Sequence, residues 1–135
     1  NSLYINEQLG RIDYLFKTRF VCLAVSHNGS LVELKDDKYV GKEIPRRSYD
    51  KFITKNIEDG IPLLWAMELG IKPEEPETNL QASGGHMRMI HGYNKKKKQI
   101  IFTDSWGAGH EFKTMDADDA FEVTRGLYIM TPTVN

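Results

Sequence analysis

The chain has 135 residues, 40% of them hydrophobic and 27% charged, with 11 Gly, 5 Pro and one Cys; this fits one domain that buries roughly two thirds of its unfolded surface and needs no staples. A single Cys excludes an internal disulfide and a Cys-rich zinc cluster, and the longest apolar run, Ile61 to Met67, is far shorter than the roughly 18 residues of a membrane span. Eighteen Lys and Arg against nineteen Asp and Glu give a net charge of −1, so no global basic field holds nucleic acid.

The chain opens on Asn with no signal-like segment behind it, and we expect a processed product or a piece of something longer. Ile5, Leu9, Ile12 and Phe16 recur at helical spacing and predict an amphipathic helix over 4–17, weakened by Gly10. FVCLAVS-HNGS-LVELK predicts a hairpin, because Asn28-Gly29 suits a type I′ turn that needs positive φ at both positions. That turn sets Val25 against Val32 and Leu23 against Leu34 on one face, with Cys22 opposite Lys35 on the other. Residues 36–47, charged and holding Gly41 and Pro45, read as a loop. Ser48 is the expected N-cap of a helix whose buried face carries Tyr49, Phe52, Ile53 and Ile57, stopped by Gly60.

Ile61 to Met67 reads as a buried strand ending at Gly70, and 71–85 as a long irregular loop of the kind that often carries function. HMRMIHGY and KQIIFTD are strands joined by a lysine turn, SWGAGH is a loop, and EFKTM a short strand. Asp116 caps a brief helix over 117–124, with Asp119 at its third position in capping-box fashion. GLYIM is a final strand closed by Pro132. Few helices, many short strands and no βαβ alternation define an α+β fold.

The chemistry concentrates in the hairpin. If it turns about Lys95, opposed residues have numbers summing to 190, so Ile90 faces Ile100 and His86 faces Asp104. Side chains opposed across antiparallel strands have Cβ atoms about 5 Å apart. A carboxylate there accepts from one imidazole nitrogen and frees the other for acid–base work. A slip of one residue would put the two on opposite faces.

HMRMIHGYN followed by IIFTDSWGAG resembles the second catalytic block of papain-like cysteine peptidases. In that pattern a His leads a short strand to Gly-Tyr, and a second strand ends in Asn or Asp before Ser-Trp-Gly. The resemblance implies that His86 is the catalytic His, Asp104 the residue that orients it, and Trp106 the indole that shields the pair, with Gly92-Tyr93 at the strand end. Asp in place of Asn, and DGIPLLW ahead of the block, are similar to the bacterial peptidases that cut double-glycine leader peptides. The resemblance covers about residues 48–132. It implies a papain-like architecture of which this chain carries the antiparallel sheet, with a few flanking helices.

A papain-like nucleophile opens a helix, where the dipole and the His lower the thiol pKa. Cys22 sits instead in mid-strand, Gln8 lies 14 residues ahead of it, and Leu23 follows it. Cys22 therefore reads as a small hydrophobe, and the nucleophile is expected upstream of Asn1. The chain is then a single domain over 1–135 that forms the C-terminal part of a longer peptidase domain.

Other constellations carry less. His86 and His91 are an odd number apart on one strand and cannot share an ion. The DADD cluster lacks the Gly and Glu of a calcium loop. Lys95 to Lys98 read as a solvated turn rather than a nucleic-acid contact. His110 reads as an exposed loop residue and Gln81 as a brace of the long loop. No cofactor and no metal is expected, and the expected partner is a peptide or protein substrate. A secreted or periplasmic location agrees with the resemblance, although no residue marks it. Two alternatives stay open: a catalytically inactive domain that binds peptides or proteins, and a transglutaminase- or amidase-like acyl transfer on the same residues.

Overall fold

The computed structural model describes residues 18–35, 38–76, 84–104 and 111–132; the predicted helix over 4–17 lies outside them. Strand β1 (Thr18–His27) turns into β2 (Ser30–Lys35) through Asn28 and Gly29, whose φ values of 50° and 81° match the type I′ expectation. Val25 faces Val32 as expected, but the ladder ends at Ala24 and Glu33. Leu23 and Leu34 therefore form no pair, and neither do Cys22 and Lys35. Leu23 is instead the extra residue of a β-bulge against the final strand, where Cys22 pairs with Tyr128 and Ala24 with Leu127.

The expected loop over 36–47 contains a strand, β3 (Lys38–Glu43), paired antiparallel with β2. It forms one edge of the sheet. An edge strand has one rim in water, so charged residues and a glycine are tolerated there that a central strand would reject. Helix α1 (Arg46–Glu58) starts two residues before the expected Ser48 cap. Pro45, at φ −73° and ψ 166°, occupies the cap position without a side-chain bond, and Ser48 N donates to Pro45 O at 2.9 Å. Gly60 stops the helix at φ 78°. Gly60 N donates to Ile57 O and Ile61 N to Asn56 O, the paired bonds of a Schellman motif.

Then follow β4 (Leu63–Leu69), β5 (Gly84–Asn94), β6 (Gln99–Thr103), β7 (Lys113–Asp116), α2 (Ala117–Val123) and β8 (Thr124–Pro132). Asp116 caps α2 as expected, its carboxylate accepting from Asp118 N at 2.9 Å. The strands form one antiparallel sheet in the order β3-β2-β1-β8-β4-β5-β6-β7, with β8 inserted between β1 and β4. Among the described residues, the sheet with two helices is an α+β arrangement.

Alternation along the strands separates two faces. One carries Leu63, Trp65, Met67 and Leu69 of β4 with Ile90, Ile100, Phe102 and Leu127, and packs against Tyr49 and Ile53 of α1 and Ala120 and Val123 of α2. The other carries Ala66 and Tyr128 with Phe20, Cys22, Leu64 and Met87.

Thr124, where α2 meets β8, ties the helix-covered core together. Its hydroxyl donates to Ala120 O at 2.6 Å and accepts from Trp65 Nε1 at 2.9 Å. A hydroxyl has one proton, so the Tyr49 phenol, 2.9 Å away, must donate to it as well. Burial holds that phenol protonated far above its ordinary range. Thr124→Val leaves both donors buried without an acceptor and should cost about 2–4 kcal/mol. Urea unfolding measures this loss, and Thr124→Ser should recover most of it; a Val variant with an unchanged midpoint would contradict the role.

Candidate active site

The β5–β6 turn spans Lys95 to Lys98, centred later than Lys95. Asn94 Oδ1 accepts from the amides of Lys96 and Lys97 at 3.1 Å each, and Lys98 closes the turn at φ 52°. Next to the turn, paired numbers sum to 193: Asn94 with Gln99, Tyr93 with Ile100, Gly92 with Ile101. That odd displacement from 190 would throw His86 and Asp104 onto opposite faces. A bulge at His91 restores the parity, so Ile90 pairs with Phe102 and Met89 with Thr103. The expected pairs Ile90–Ile100 and His86–Asp104 are thus not directly opposed. His86 and Asp104 still share a face, two residues off register, where diagonal neighbours remain within reach of long side chains.

Contact is made. His86 Nε2 lies 2.8 Å from Asp104 Oδ1, with the His86 side chain 23% exposed and the Asp104 side chain fully buried. The other carboxylate oxygen, Oδ2, accepts from Arg88 Nε at 2.8 Å. Arg88 stands where one further step of the ladder would set it against Asp104. Its two remaining nitrogens reach both oxygens of Glu74, at 2.9 and 2.8 Å. Lys113 Nζ meets Glu74 Oε2 from β7. The Phe102 ring lies under the guanidinium at 4.7 Å, and Trp65 meets Phe102 edge to face at 5.1 Å. Arg88, Lys113 and Asp104 have side chains at 0% exposure and Glu74 one at 7%. Among the described residues, two cations and two carboxylates meet here, as buried charges are tolerated only when paired.

Sequence reasoning singled out His86 and Asp104 and missed Arg88, Glu74 and Lys113. A signal was present. Arg88 alternates with His86 and Ile90 on the core-facing side of a strand, and Lys113 alternates with Met115; ions at such positions are rarely buried unless paired. Glu74 gave no local signal, since it sits in the irregular segment after β4. That segment is pinned to β7 by reciprocal backbone bonds between Glu75 and Thr114, at 2.9 and 2.8 Å.

The remaining residues of interest fall elsewhere. Trp106, His110 and Gln81 lie outside the described residues. The His91 ring meets Phe112 edge to face at 5.2 Å. The Tyr93 hydroxyl donates to Asp50 of α1, and burial followed by that carboxylate pushes the phenol up to about 12. Cys22 Sγ donates to Ala24 O at 3.4 Å. Cys22 belongs to the cluster of Ala66, Met87 and Tyr128, whereas His86 pairs with Met67 of the opposite, helix-covered face. The sheet therefore stands between the thiol and the imidazole.

Glu74→Ala would take from Arg88 its bidentate partner and from Lys113 the carboxylate it meets, at a cost of about 3–5 kcal/mol. Denaturant unfolding reads this directly. A loss below about 1 kcal/mol, the scale of an exposed pair, would mean that water already screens the cluster.

A family model described as the Peptidase_C39 like family matches residues 24–130. No curated protein and no solved structure matches the chain. The matched span takes in the hairpin that carries His86, Arg88 and Asp104, and it relates the chain to the papain-like cysteine peptidases. No helix among the described residues is long and apolar enough to cross a membrane. On the extent of that match the chain belongs to the Peptidase_C39 like family, a family of cysteine peptidase-like domains.

Proposed function

We propose that this chain is the His- and Asp-bearing part of a papain-like cysteine peptidase domain, of the kind that cuts double-glycine leader peptides. The observation that carries the reading is the 2.8 Å contact between a part-exposed imidazole and a fully buried carboxylate. Holding Nε2 fixes the ring and assigns the chemistry to Nδ1. A thiolate attacks the scissile carbonyl carbon, and the His86 imidazolium stabilises the thiolate beforehand. The proton on His86 then passes to the departing amine, leaving a thioester. The neutral ring next takes a proton from water as the water oxygen attacks the thioester carbonyl; the carbon–sulfur bond breaks, releasing the acid and restoring the thiolate beside the imidazolium. Asp104 keeps the ring oriented throughout, and the resemblance assigns Trp106 the role of shielding the pair.

The thiol comes from a segment of the same protein upstream of Asn1, placed at a helix N-terminus. Cys22 is unsuited to the task because it lies in mid-strand on the opposite face of the sheet. The same observation favours one second reading, a catalytically inactive papain-like domain that binds peptides or proteins.

In the full-length protein, a peptide with a Gly-Gly pair at the scissile bond should be cleaved, and His86→Ala should lower kcat by about a thousandfold or more. Unchanged turnover in that variant would refute the assignment. A wild-type protein that binds the peptide without cutting it would establish the binding module instead.

A further inference from the structure

A carboxylate held at one oxygen still swings about its Cβ–Cγ bond, and an imidazole leaning on it swings too. Asp104 is held at both oxygens, by His86 Nε2 on Oδ1 and by Arg88 Nε on Oδ2. Arg88 in turn has little freedom. Its fork is bidentate to Glu74, its face rests on Phe102, and its side chain is fully buried. Glu74 is clamped from the other side by Lys113, and its neighbour Glu75 is stitched to β7. The chain from Lys113 to His86 is thus a series of short polar contacts across the β7 strand, the segment after β4, and the β5–β6 hairpin.

Charge constrains the pair as well. Among the described residues, Arg88 and Lys113 offset Glu74 and Asp104 in the mount beneath His86. Three further carboxylates of the neighbouring elements have cations of their own. Asp119 and Glu122 of α2 lie 3.8 and 2.9 Å from Lys72 Nζ, and Glu68 of β4 lies 3.9 Å from Arg125 Nε. Directly across from His86 stands the apolar Met67. A buried carboxylate without its arginine would bind the imidazolium much more tightly than the neutral ring, and would resist its deprotonation.

We propose that Arg88 is the positioning residue of the His86–Asp104 pair, fixing the carboxylate plane and offsetting its charge so that the imidazole is oriented yet free to exchange its proton, with Glu74 and Lys113 as the mount. Its catalytic meaning rests on the peptidase reading, while its structural content does not.

The test is an NMR titration of the His86 ring nitrogens in the full-length protein, with the resonance assigned by its loss in His86→Gln. Arg88→Met should raise the His86 midpoint by about one pH unit, because the cation on Asp104 Oδ2 is lost. Arg88→Lys keeps the charge and loses the fork, so the midpoint should move less while the Nε2 proton signal broadens. Wild-type titration and an unchanged Nε2 signal in a folded Arg88→Met protein would overturn the proposal. Should Arg88→Met fail to fold, a Lys variant indistinguishable from wild type would overturn it equally. In the peptidase assay the pH profile of kcat/KM should shift with the NMR midpoint. A wild-type protein lacking peptidase activity would sink the proposed function alone, since the titration reads Arg88 independently.

Discussion

Asp104 is a buried carboxylate shared between a part-exposed histidine and a fully buried arginine, and the arrangement of the surrounding elements follows from keeping it satisfied. An ionised carboxylate with no water around it is tolerable only when its lone pairs are occupied by strong donors. Here two of those donors come from a single strand, His86 and Arg88 of β5, which therefore must pair with β6 in one register. Arg88 then demands a carboxylate of its own, and Glu74 provides it from outside the sheet. Glu74 demands Lys113, which draws β7 into the same unit. The polar cluster accordingly specifies how three non-adjacent stretches of chain meet, a role more secure than any net gain in stability from burying charges.

The rest of the sheet keeps this corner in place by ordinary packing. β8, last in the chain, runs between β1 and β4 and so joins the hairpin half of the sheet to the half that bears the polar cluster. Trp65 links the two organising centres. Its indole nitrogen donates to Thr124, the hub of the helix-covered core, and its ring meets Phe102, which in turn underlies Arg88. The histidine thus stands at the outer end of this series, with its side chain 23% exposed.

Much of this was readable in the residues, and the failures have identifiable causes. The Asn28-Gly29 hairpin, the stop at Gly60, the cap at Asp116 and the β4 strand follow from local chemistry, where one or two side chains decide the outcome. The site pair was legible because His86 and Asp104 flank two apolar strands. Its register was not, because two local irregularities had to be known together. A turn placed by the Asn94 side chain shifts the pairing by an odd count, and the bulge at His91 restores the shared face. A trace of the bulge exists in the spacing of Ile90 and Tyr93, which both join the core although period-two alternation would separate them. Gly92 beside it suits a close approach, since a Cβ there would lie 3.3 Å from Ile101 Cβ and Ile101 would have to give way. β3 escaped notice because an edge strand tolerates the composition of a loop. Glu74 was invisible because its partners are distant in sequence and its own neighbours are prolines and charges.

The most direct measurement is a crystal structure of the full-length protein, read for the distance between His86 Nδ1 and the nearest thiol. The account predicts a cysteine sulfur from outside residues 1–135, at a helix N-terminus on the helix-covered side of the sheet, within hydrogen-bonding reach of about 3–4 Å. A structure in which no sulfur approaches that nitrogen, or in which the ring has turned away from Asp104, would contradict it.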